Sequence, residues 1–556
     1  MEHILVITLI IGGTALLSVP LGTYMAWAMD PGSTSPRGTQ FTTLFERVGG
    51  AGATTGQSWQ RYLATLLVFN VAMFSVSFAT LTLQQHLPLN PDSKGALDPT
   101  LIFNTAASFT TNTNLQHYSG EVTMSYFSQL VALMWLQFVS AATGIAALAA
   151  LARGIAGRET VGNFMIDLQR ASFLVLLPLA LLVAPAMVLL GVPMTLQGAV
   201  QATTLDGAVQ TISRGPVAAF LTIKQLGTNG GGFFGPNATH PLENPSFWTN
   251  ALAMIAIILV PMACVWMFGR IIGRMRHATV VFAVMTLFLL VKIGAAVNFE
   301  SAPTAALTDL PVAESSNLEG KELRFGTTTG PLWAVLTTST SNGSVGAMHD
   351  SLNPLTGLVP MAGMWLNATF GGVGVGMINM FLYIIVAVFV AGMMVGRTPE
   401  YLGHRIEAKE MRLAVLALFA HAVLILGGTA LFAATPWGQS AVQDAGAHGF
   451  SEILYEFSSA GANNGSGFEG LGDGSWAFNI ATGIVMLLGR FLPIILPIAI
   501  VGSLMAKRRA VESSGTLGVE DTTFGSMLAI TVVIFGALTF LPAAALGPIA
   551  EHVSLP

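Results

Sequence analysis

Four short polar stretches recur along the chain at long and nearly equal intervals. Each follows a segment of helical length (101–110, 217–226, 331–340 and 452–462) and precedes a long apolar segment. Aligned on their second residues, the four stretches lie 117, 113 and 122 residues apart. The pattern predicts a fourfold repeat of apolar span, short helix, polar loop and apolar span. The stretches read Thr111-Asn112-Thr113-Asn114, Thr228-Asn229-Gly230-Gly231, Ser341-Asn342-Gly343-Ser344 and Asn463-Asn464-Gly465-Ser466.

The composition places these loops in a membrane. Of the 556 residues, 53% are hydrophobic and only 9% are charged, whereas soluble proteins average about 25% charged residues. Apolar runs of spanning length fall near 4–28, 62–83, 125–152, 171–195, 248–269, 278–297, 360–395, 412–434, 475–505 and 525–548. The sequence therefore predicts an all-α polytopic membrane protein with ten spans.

The order of these segments predicts one leading helix, four repeats and one trailing helix. Within each repeat a loop enters the membrane and returns, which is tolerated only where the backbone is buried in protein or lines a cavity. We therefore expect four re-entrant loops around a pseudo-fourfold pore. The expected units are 1–29 (leading helix), 30–61 (cytoplasmic linker), 62–152, 171–269, 278–396 and 412–506 (repeats 1 to 4) and 525–556 (trailing helix and tail).

The basic residues predict the orientation. Lys and Arg concentrate in cytoplasmic loops, and 16 of the 23 lie in alternate loops, including Arg153, Arg274, Arg397 and Lys507. We therefore expect both termini and all four polar loops on the external side. Lys224 is among the few basic residues expected on that side.

The loop residues favour a site for a monovalent cation. Helix C-termini carry partial negative charge, and backbone carbonyls add oxygen ligands without formal charge. Ca²⁺ and Mg²⁺ usually recruit carboxylates, but none of the four stretches contains an acid. The candidate ion-binding residues are all residues of the four stretches, together with Gln116 and Gly232, which follow the first two.

Two features below the loops are candidates for a gate or an ion path. Gly371, Gly372, Gly374 and Gly376 lie inside the predicted span 360–395, where glycine disfavours helix by about 1 kcal/mol each, so we expect a break there. Arg490 lies within the ninth span, where a charge usually faces a polar path.

Other polar residues favour plainer interpretations. Lys292 is expected to extend its amine to the membrane surface. His117 and His240 are expected to face solvent. The sequence contains neither a Gly-x-x-x-x-Gly-Lys-Ser/Thr phosphate loop nor an Asp-Lys-Thr-Gly phosphorylation motif, so any ATP hydrolysis is expected on another chain.

Several longer blocks resemble one family, the potassium-binding subunits of bacterial Kdp potassium-transporting ATPases. The first is 103–116, Phe-Asn-Thr-Ala-Ala-Ser-Phe-Thr-Thr-Asn-Thr-Asn-Leu-Gln, around the first stretch. The others are 227–234 with 240–245 (His-Pro-Leu-Glu-Asn-Pro), 396–403 (Gly-Arg-Thr-Pro-Glu-Tyr-Leu-Gly) and 490–497 (Arg-Phe-Leu-Pro-Ile-Ile-Leu-Pro). Together they span nearly the whole chain.

The resemblance implies a fold like that of potassium channels and the Trk, Ktr and HKT transporters. It implies K⁺ as the transported ion, a location in the bacterial inner membrane, and passage of the ion to a P-type ATPase subunit, KdpB. It also implies a single-span subunit, KdpC, and a small peptide, KdpF. The chain departs from the family at Leu115, where tryptophan is usual, and at Asn367, where an acid is expected near the ion path.

A second interpretation stays open on sequence grounds. A self-sufficient Trk/Ktr-type channel or symporter subunit would use the same four loops. The additional first and last helices and the Gly-Arg-Thr-Pro-Glu block favour the Kdp interpretation.

Overall fold

The computed structural model of the chain is mainly helical and describes residues 2–30, 43–44, 47, 55–301, 317–509 and 517–555. Within these ranges, ten helices are long and apolar enough to cross a membrane. They are Leu5–Met29, Trp59–Thr82, Ser128–Ile155, Phe164–Leu189, Phe247–Ile272, Met275–Glu300, Val375–Val395, Ala408–Ala433, Trp476–Met505 and Thr522–Ser554. The predicted multi-pass helical fold is therefore confirmed.

One predicted span differs from the structure. The segment 360–395 is not one helix but the end of Pro354–Leu366 followed by Val375–Val395. The intervening residues 367–374 contain the first three glycines of the predicted break, so the break is confirmed. It begins at Asn367, four residues before the first of these glycines.

A shorter helix precedes each of the four polar stretches, as predicted. We call these the pore helices: Pro99–Thr110, Val217–Leu226, Gly326–Ser339 and Ala447–Ala462. The sequence determines where the first pore helix begins. The Asp98 carboxylate accepts hydrogen bonds from the Thr100 and Leu101 amides, and Pro99 is the first residue of the helix. Acidic N-caps and proline in the first turn are both favoured there.

The spans that follow the pore helices form the inside of the molecule. Ser128–Ile155, Phe247–Ile272, Val375–Val395 and Trp476–Met505 have 72, 78, 72 and 61% of their most apolar windows buried. The other six spans reach only 22–39%. Four buried helices among six more exposed ones is the arrangement expected around a central axis.

The first and last spans pack against this inner group from outside. The Trp266 indole donates a hydrogen bond of 3.0 Å to Ser18 Oγ, and Gly22 lies so close to the same helix that a Cβ would be 2.5 Å from Trp266 Cβ. In the last span, the Phe535 ring lies edge-on to that of Tyr383 in the inner span Val375–Val395, with ring centroids 5.9 Å apart.

The remaining elements are short. Two antiparallel hairpins pair Val200–Thr203 with Val209–Ile212 and Glu400–Tyr401 with His404–Arg405. Single turns of helix occur at Gln84–His86, Gly120–Thr123, Asn237–Thr239, Leu323–Phe325 and Pro436–Gln439. The predicted linker 30–61 lies largely outside the described residues.

Candidate functional site

The backbone of the four stretches follows one hydrogen-bond pattern. In each, one amide donates to the carbonyl five residues earlier, at the end of the pore helix, over 2.9–3.0 Å. The donor–acceptor pairs are Thr113–Ser108, Asn229–Lys224, Asn342–Thr337 and Asn464–Ser459. The equivalent of Asn229 is therefore Thr113 and not Asn112, so the predicted alignment of the first stretch is wrong by one residue.

The backbone torsions support this corrected register. The residue before each matched position has φ between 48° and 64°, and the residue after it has φ between 56° and 106°. Gly230, Gly343 and Gly465 occupy the second left-handed position in three loops, and Asn114 occupies it in the first. Glycine adopts this conformation without strain, and asparagine tolerates it best among the other residues.

Each loop approaches its neighbour closely at this second position. A Cβ on Gly230 would lie 1.6 Å from the Asn342 carbonyl oxygen, and one on Gly343 would lie 2.2 Å from that of Asn464. A Cβ on Gly465 would lie 2.1 Å from the carbonyl oxygen of Thr113. The contacts run from loop 2 to loop 3 to loop 4 to loop 1.

Asparagine side chains join the same neighbours. Asn112 Nδ2 donates to the Thr228 carbonyl at 2.8 Å, and Asn342 Nδ2 donates to that of Lys224 at 3.2 Å. Asn464 Nδ2 donates to the Thr337 carbonyl at 3.0 Å. Asn463 Nδ2 closes the circuit with a 2.9 Å bond to Thr113 Oγ1. We call this closed set of four loops the ring.

Four matched carbonyl oxygens of the ring have no donor. Those of Thr113, Asn229, Asn342 and Asn464 accept no hydrogen bond from any group in the described part of the chain, and all four residues are fully buried. Buried carbonyls are nearly always paired in folded proteins. Four unpaired carbonyl oxygens at equivalent positions are neutral groups of the kind that can replace the hydration shell of a cation.

The other predicted ring residues brace these positions. Thr111 Oγ1 lies 2.7 Å from Thr113 Oγ1, and the amides of Ser344 and Ser466 each donate to the asparagine two residues earlier at 3.0 Å. Gly231 lies against the first loop, where a Cβ would be 2.8 Å from Asn114 Cβ.

Gln116 and Gly232 form a reciprocal pair above the ring. The Gly232 amide donates to Gln116 Oε1 at 2.7 Å, and Gln116 Nε2 donates to the Gly232 carbonyl at 3.0 Å. The two residues therefore tie the exits of loops 1 and 2 together.

A buried ion pair supports loop 2 and was missed from the sequence. Lys224 Nζ lies 2.5 Å from Glu243 Oε2, and both side chains are fully buried. Glu243 Oε1 also accepts the Phe233 amide at 2.6 Å, and Asn237, which bonds Lys224, donates to the Gly230 carbonyl at 2.7 Å. Lys224 is thus an internal residue of the second pore helix rather than an exposed basic residue. In the sequence, the His-Pro-Leu-Glu-Asn-Pro block, which contains Glu243, was the feature that could have indicated this ion pair.

An open cavity of about 360 Å³ lies above the ring and is lined by residues that include Gln116, His117, Gly343, Gly465 and Asp473. His117 is buried, contrary to the prediction, with Nε2 3.1 Å from Glu456 Oε1 and Nδ1 2.8 Å from Asn479 Oδ1. Burial opposes protonation of His117, but Asp473 and Glu456 outweigh it and raise its pKa to about 9. The cavity wall therefore carries a histidine whose Nε2 faces two carboxylates, those of Glu456 and Asp473.

The prediction for His240 also needs correction. Its ring is only partly exposed and stacks on Phe234 with centroids 4.0 Å apart. It packs behind loop 2 instead of facing solvent freely.

The break in the seventh span lies directly against the ring. The Gly371 amide donates to the Ser339 carbonyl at 2.8 Å, and the Val373 amide donates to Thr228 Oγ1 at 3.0 Å. Asn367 Oδ1 accepts from Ser341 Oγ at 2.9 Å, and Asn367 Nδ2 donates to the Ala462 carbonyl at 3.2 Å. The segment thus touches loops 2 and 3 and the end of the fourth pore helix.

The break holds unusual backbone conformations. Asn367, Gly371 and Gly374 have φ of 43°, 58° and 78°, and Phe370 has φ of 61°. Left-handed geometry is a genuine outlier for a bulky residue such as phenylalanine. A Cβ on Gly376 would lie 1.6 Å from the Phe370 carbonyl oxygen, so glycine there permits the fold-back.

Arg490 lies beneath the ring, buried and 3% exposed. Its Nη2 donates to the Ser140 carbonyl at 2.9 Å, and Ser140 Oγ donates to Asn112 Oδ1 at 2.8 Å. A Cβ on Gly372 would lie 3.9 Å from Nη1. Across the described ranges, no carboxylate lies within 4.0 Å of the guanidinium, so it is not one half of an ion pair.

Lys292 does not extend to the membrane surface, and that prediction is wrong. Its buried amine donates to Ser339 Oγ at 2.7 Å. Ser339 is the last residue of the third pore helix, where the partial negative charge of the helix end favours a cation.

Comparison with known proteins shows the family of the chain. Residues 7–553 match the family model described as the potassium-transporting ATPase A subunit, KdpA. The chain is 49% identical to the potassium-transporting ATPase potassium-binding subunit of Pseudomonas aeruginosa over 512 residues, covering 92% of this chain and 91% of that protein. It is 48% identical to the subunit of the same name in Rhodospirillum centenum, covering 100% of this chain and 98% of that one.

A solved structure shares the fold at much lower identity. The potassium transporter TrkH of Vibrio parahaemolyticus aligns with a TM-score of 0.53 at 15% identity, covering 88% of this chain and 97% of that one. The likeness concerns architecture only. On the family match and the near-full-length identities, the chain belongs to the KdpA family of potassium-transporting ATPase A subunits.

Proposed function

We propose that this chain binds K⁺ in the ring and passes it to a partner subunit that hydrolyses ATP. The observation that carries the proposal is the set of four matched, buried and unpaired carbonyl oxygens at Thr113, Asn229, Asn342 and Asn464. Such a cage replaces the hydration shell of an ion without adding charge. The identity of the P. aeruginosa and R. centenum relatives as potassium-binding subunits supports K⁺ as the ion.

The proposed site comprises the four stretches with Gln116 and Gly232, and the proposed ion path runs past Asn367, Gly371, Gly372, Gly374, Gly376 and Arg490. The break would act as the gate, because it touches the ring and holds strained backbone. Arg490 would repel a cation that leaves the ring straight downward and so direct it sideways. In this proposal the chain itself binds no ATP.

The proposed complex contains a P-type ATPase subunit (KdpB), a single-span subunit (KdpC) and a small peptide (KdpF). We place it in the bacterial inner membrane with both termini and the ring mouth outside, as the distribution of basic residues favours. A self-sufficient Trk/Ktr-type transporter is the other candidate. It has weaker support, because the TrkH likeness at 15% identity concerns the fold alone.

The proposal is tested by thermal unfolding of the purified protein in K⁺ or Na⁺ at equal concentration. We expect K⁺ to raise the unfolding temperature more than Na⁺, because ligand that binds only the folded state stabilises it by mass action. Gly465→Ala should remove the difference, since its Cβ would meet Thr113 O at 2.1 Å. Gly294→Ala, which meets nothing within 4 Å, should retain it. Equal protection by the two ions would contradict the proposal.

A further inference from the structure

A second group of charged side chains lies outside the ring, around the first turns of the fourth pore helix. Asp350, Asp444, His448 and Glu452 each offer one ligand atom, and these atoms all lie within 4.8 Å of one another. Asp350 follows loop 3, Asp444 precedes the fourth pore helix, and His448 and Glu452 lie on that helix. We call these four residues the outer cluster.

The imidazole of His448 is held by Glu551 on the side that faces away from the outer cluster. Its Nδ1 lies 2.9 Å from Glu551 Oε1 near the C-terminus. Its Nε2 faces the cluster, 3.0 Å from Asp350 Oδ1 and 4.0 Å from Asp444 Oδ2. A histidine that binds a metal through one nitrogen usually donates its other N–H to a carboxylate, and Glu551 occupies that position.

Glu452 supplies an independent sign that the outer cluster needs a cation. The residue is fully buried, and its Oε2 accepts the Gln443 amide at 3.0 Å. Its Oε1 has no hydrogen-bond partner among the described residues. A buried carboxylate oxygen without a donor is strongly unfavourable.

His448 cannot neutralise the group alone. Both of its nitrogens already face other carboxylates, those of Asp350 and Glu551. With Asp444 and Glu452 added, four carboxylates surround one imidazole, and Glu452 Oε1 remains unpaired.

We propose that the outer cluster binds one divalent transition-metal cation through His448 Nε2 and one oxygen each of Asp350, Asp444 and Glu452. One imidazole with three carboxylates suits Zn²⁺ or Mn²⁺, and a four-ligand set favours Zn²⁺. The Asp444 side chain is 58% exposed, which leaves the cluster open to solvent. Binding displaces the proton from Nε2, while Glu551 keeps the Nδ1 proton in place.

The bound metal would stabilise the group of side chains that packs against loop 4. His448 stacks on Phe468, Phe468 stacks on Tyr455 with centroids 4.4 Å apart, and the Tyr455 hydroxyl lies 2.8 Å from Ser466 Oγ in the ring. The site is a structural clamp separate from the K⁺ cage, so it can be tested without transport.

The test is equilibrium dialysis of the purified full-length protein with its partner subunits against ZnCl₂, MnCl₂ or CaCl₂, followed by elemental analysis. We expect one Zn²⁺ per chain, weaker Mn²⁺ binding and no Ca²⁺ binding at the same concentration. Zinc should also raise the unfolding temperature. Absence of stoichiometric zinc, or calcium bound as tightly as zinc, would overturn the proposal.

Variants locate the bound metal. Glu452→Gln should abolish zinc binding while keeping the bulk of the side chain, and Asp444→Asn, at an exposed position that cannot disturb packing, should weaken it at least tenfold. Glu551→Gln should weaken it by about 10–100-fold, as loss of an orienting partner does. His117→Gln, in the other histidine–carboxylate group, should leave zinc binding unchanged. Wild-type binding by Glu452→Gln and Asp444→Asn, or zinc lost only from His117→Gln, refutes the site.

Discussion

The ring and the break in the seventh span touch each other but are held in different ways. In the ring, left-handed positions are occupied by Asn, Thr, Ser or Gly, and bonds between side chains and carbonyls join each loop to the next. In the break, a phenylalanine holds the left-handed conformation. Two amides of the break donate hydrogen bonds toward the ring: that of Val373 to Thr228 Oγ1 in loop 2, and that of Gly371 to the Ser339 carbonyl at the end of the third pore helix.

In the proposed function, one short stretch of membrane therefore holds both a fixed part, the ring, and a movable part, the break. A cage that distinguishes ions of similar size must keep its oxygens in place, and the ring has many cross-links between its loops, which also hold Thr228 in a left-handed conformation. A segment that switches is held in a costly conformation by a few contacts and can leave it when those contacts change. The following predictions test that contrast.

The largest effect is expected from a side chain inserted between two loops. Gly230→Ala places a methyl group 1.6 Å from the Asn342 carbonyl oxygen at a residue with φ of 79°. We expect K⁺-stimulated ATP hydrolysis by the assembled complex to be abolished. Gly427→Ala is the matched control, because its Cβ meets nothing within 4 Å. Normal K⁺ stimulation in Gly230→Ala would show that the ring is not rigid.

Removing one half of the buried ion pair behind loop 2 should have the next largest effect. Glu243→Gln can still accept the Phe233 amide but leaves Lys224 charged and unpaired, which typically destabilises a protein by about 3–5 kcal/mol. The double variant Lys224→Met with Glu243→Gln should recover much of this loss. Denaturant unfolding in detergent measures both. A double variant as unstable as Glu243→Gln would mean that the charge pairing is not the cause.

Arg490→Met should change the route of the ion more than the stability of the fold. It removes the charge beneath the ring and keeps the bulk, while the Ser140 carbonyl loses one donor. We expect K⁺ to leak through the complex without matching ATP hydrolysis. Flux of ⁸⁶Rb⁺ into vesicles, compared with ATP turnover, measures the leak. Unaltered coupling would leave Arg490 with a purely structural role.

The smallest structural change is expected in the break. Gly372→Ala fits, because its Cβ would be 3.5 Å from the nearest atom, Ser341 Cβ, and the residue is not left-handed. A compatible glycine-to-alanine change stabilises by about 0.4–1 kcal/mol through the unfolded state. We expect K⁺ to protect the protein as before and transport to slow, because the segment is stiffer. Gly374→Ala should instead disrupt the folded structure itself, since its Cβ would lie 2.1 Å from the Gly144 carbonyl oxygen. Equal transport rates for wild type and Gly372→Ala would argue against movement of the break.

Much of the fold could be predicted from the sequence because a membrane restricts the possibilities. Ten apolar runs, four polar stretches and a glycine cluster sufficed to predict the spans, the pore helices and the break. These features depend on local composition and length, which a single sequence shows directly.

The finer geometry depended on contacts between distant segments. The first stretch contains two asparagines, and matching by residue type selected Asn112, whereas the hydrogen bond to Ser108 selects Thr113. The burial of Lys224 was not predicted, because its partner Glu243 lies 19 residues further along the chain. The burial of His117 depends on Glu456, which belongs to another quarter of the molecule.

The one-residue offset of loop 1 bears on how such a pore changes over time. In a pore assembled from four identical chains, every substitution alters all four sides at once. Here each quarter is encoded separately, so threonine can occupy on one side the position that asparagine occupies on the others, while the main-chain hydrogen bond stays the same. The amino-acid sequences of the four quarters can diverge while the positions of the carbonyl oxygens are preserved. A search for homologous pores should therefore superpose carbonyl positions and let residue identities differ.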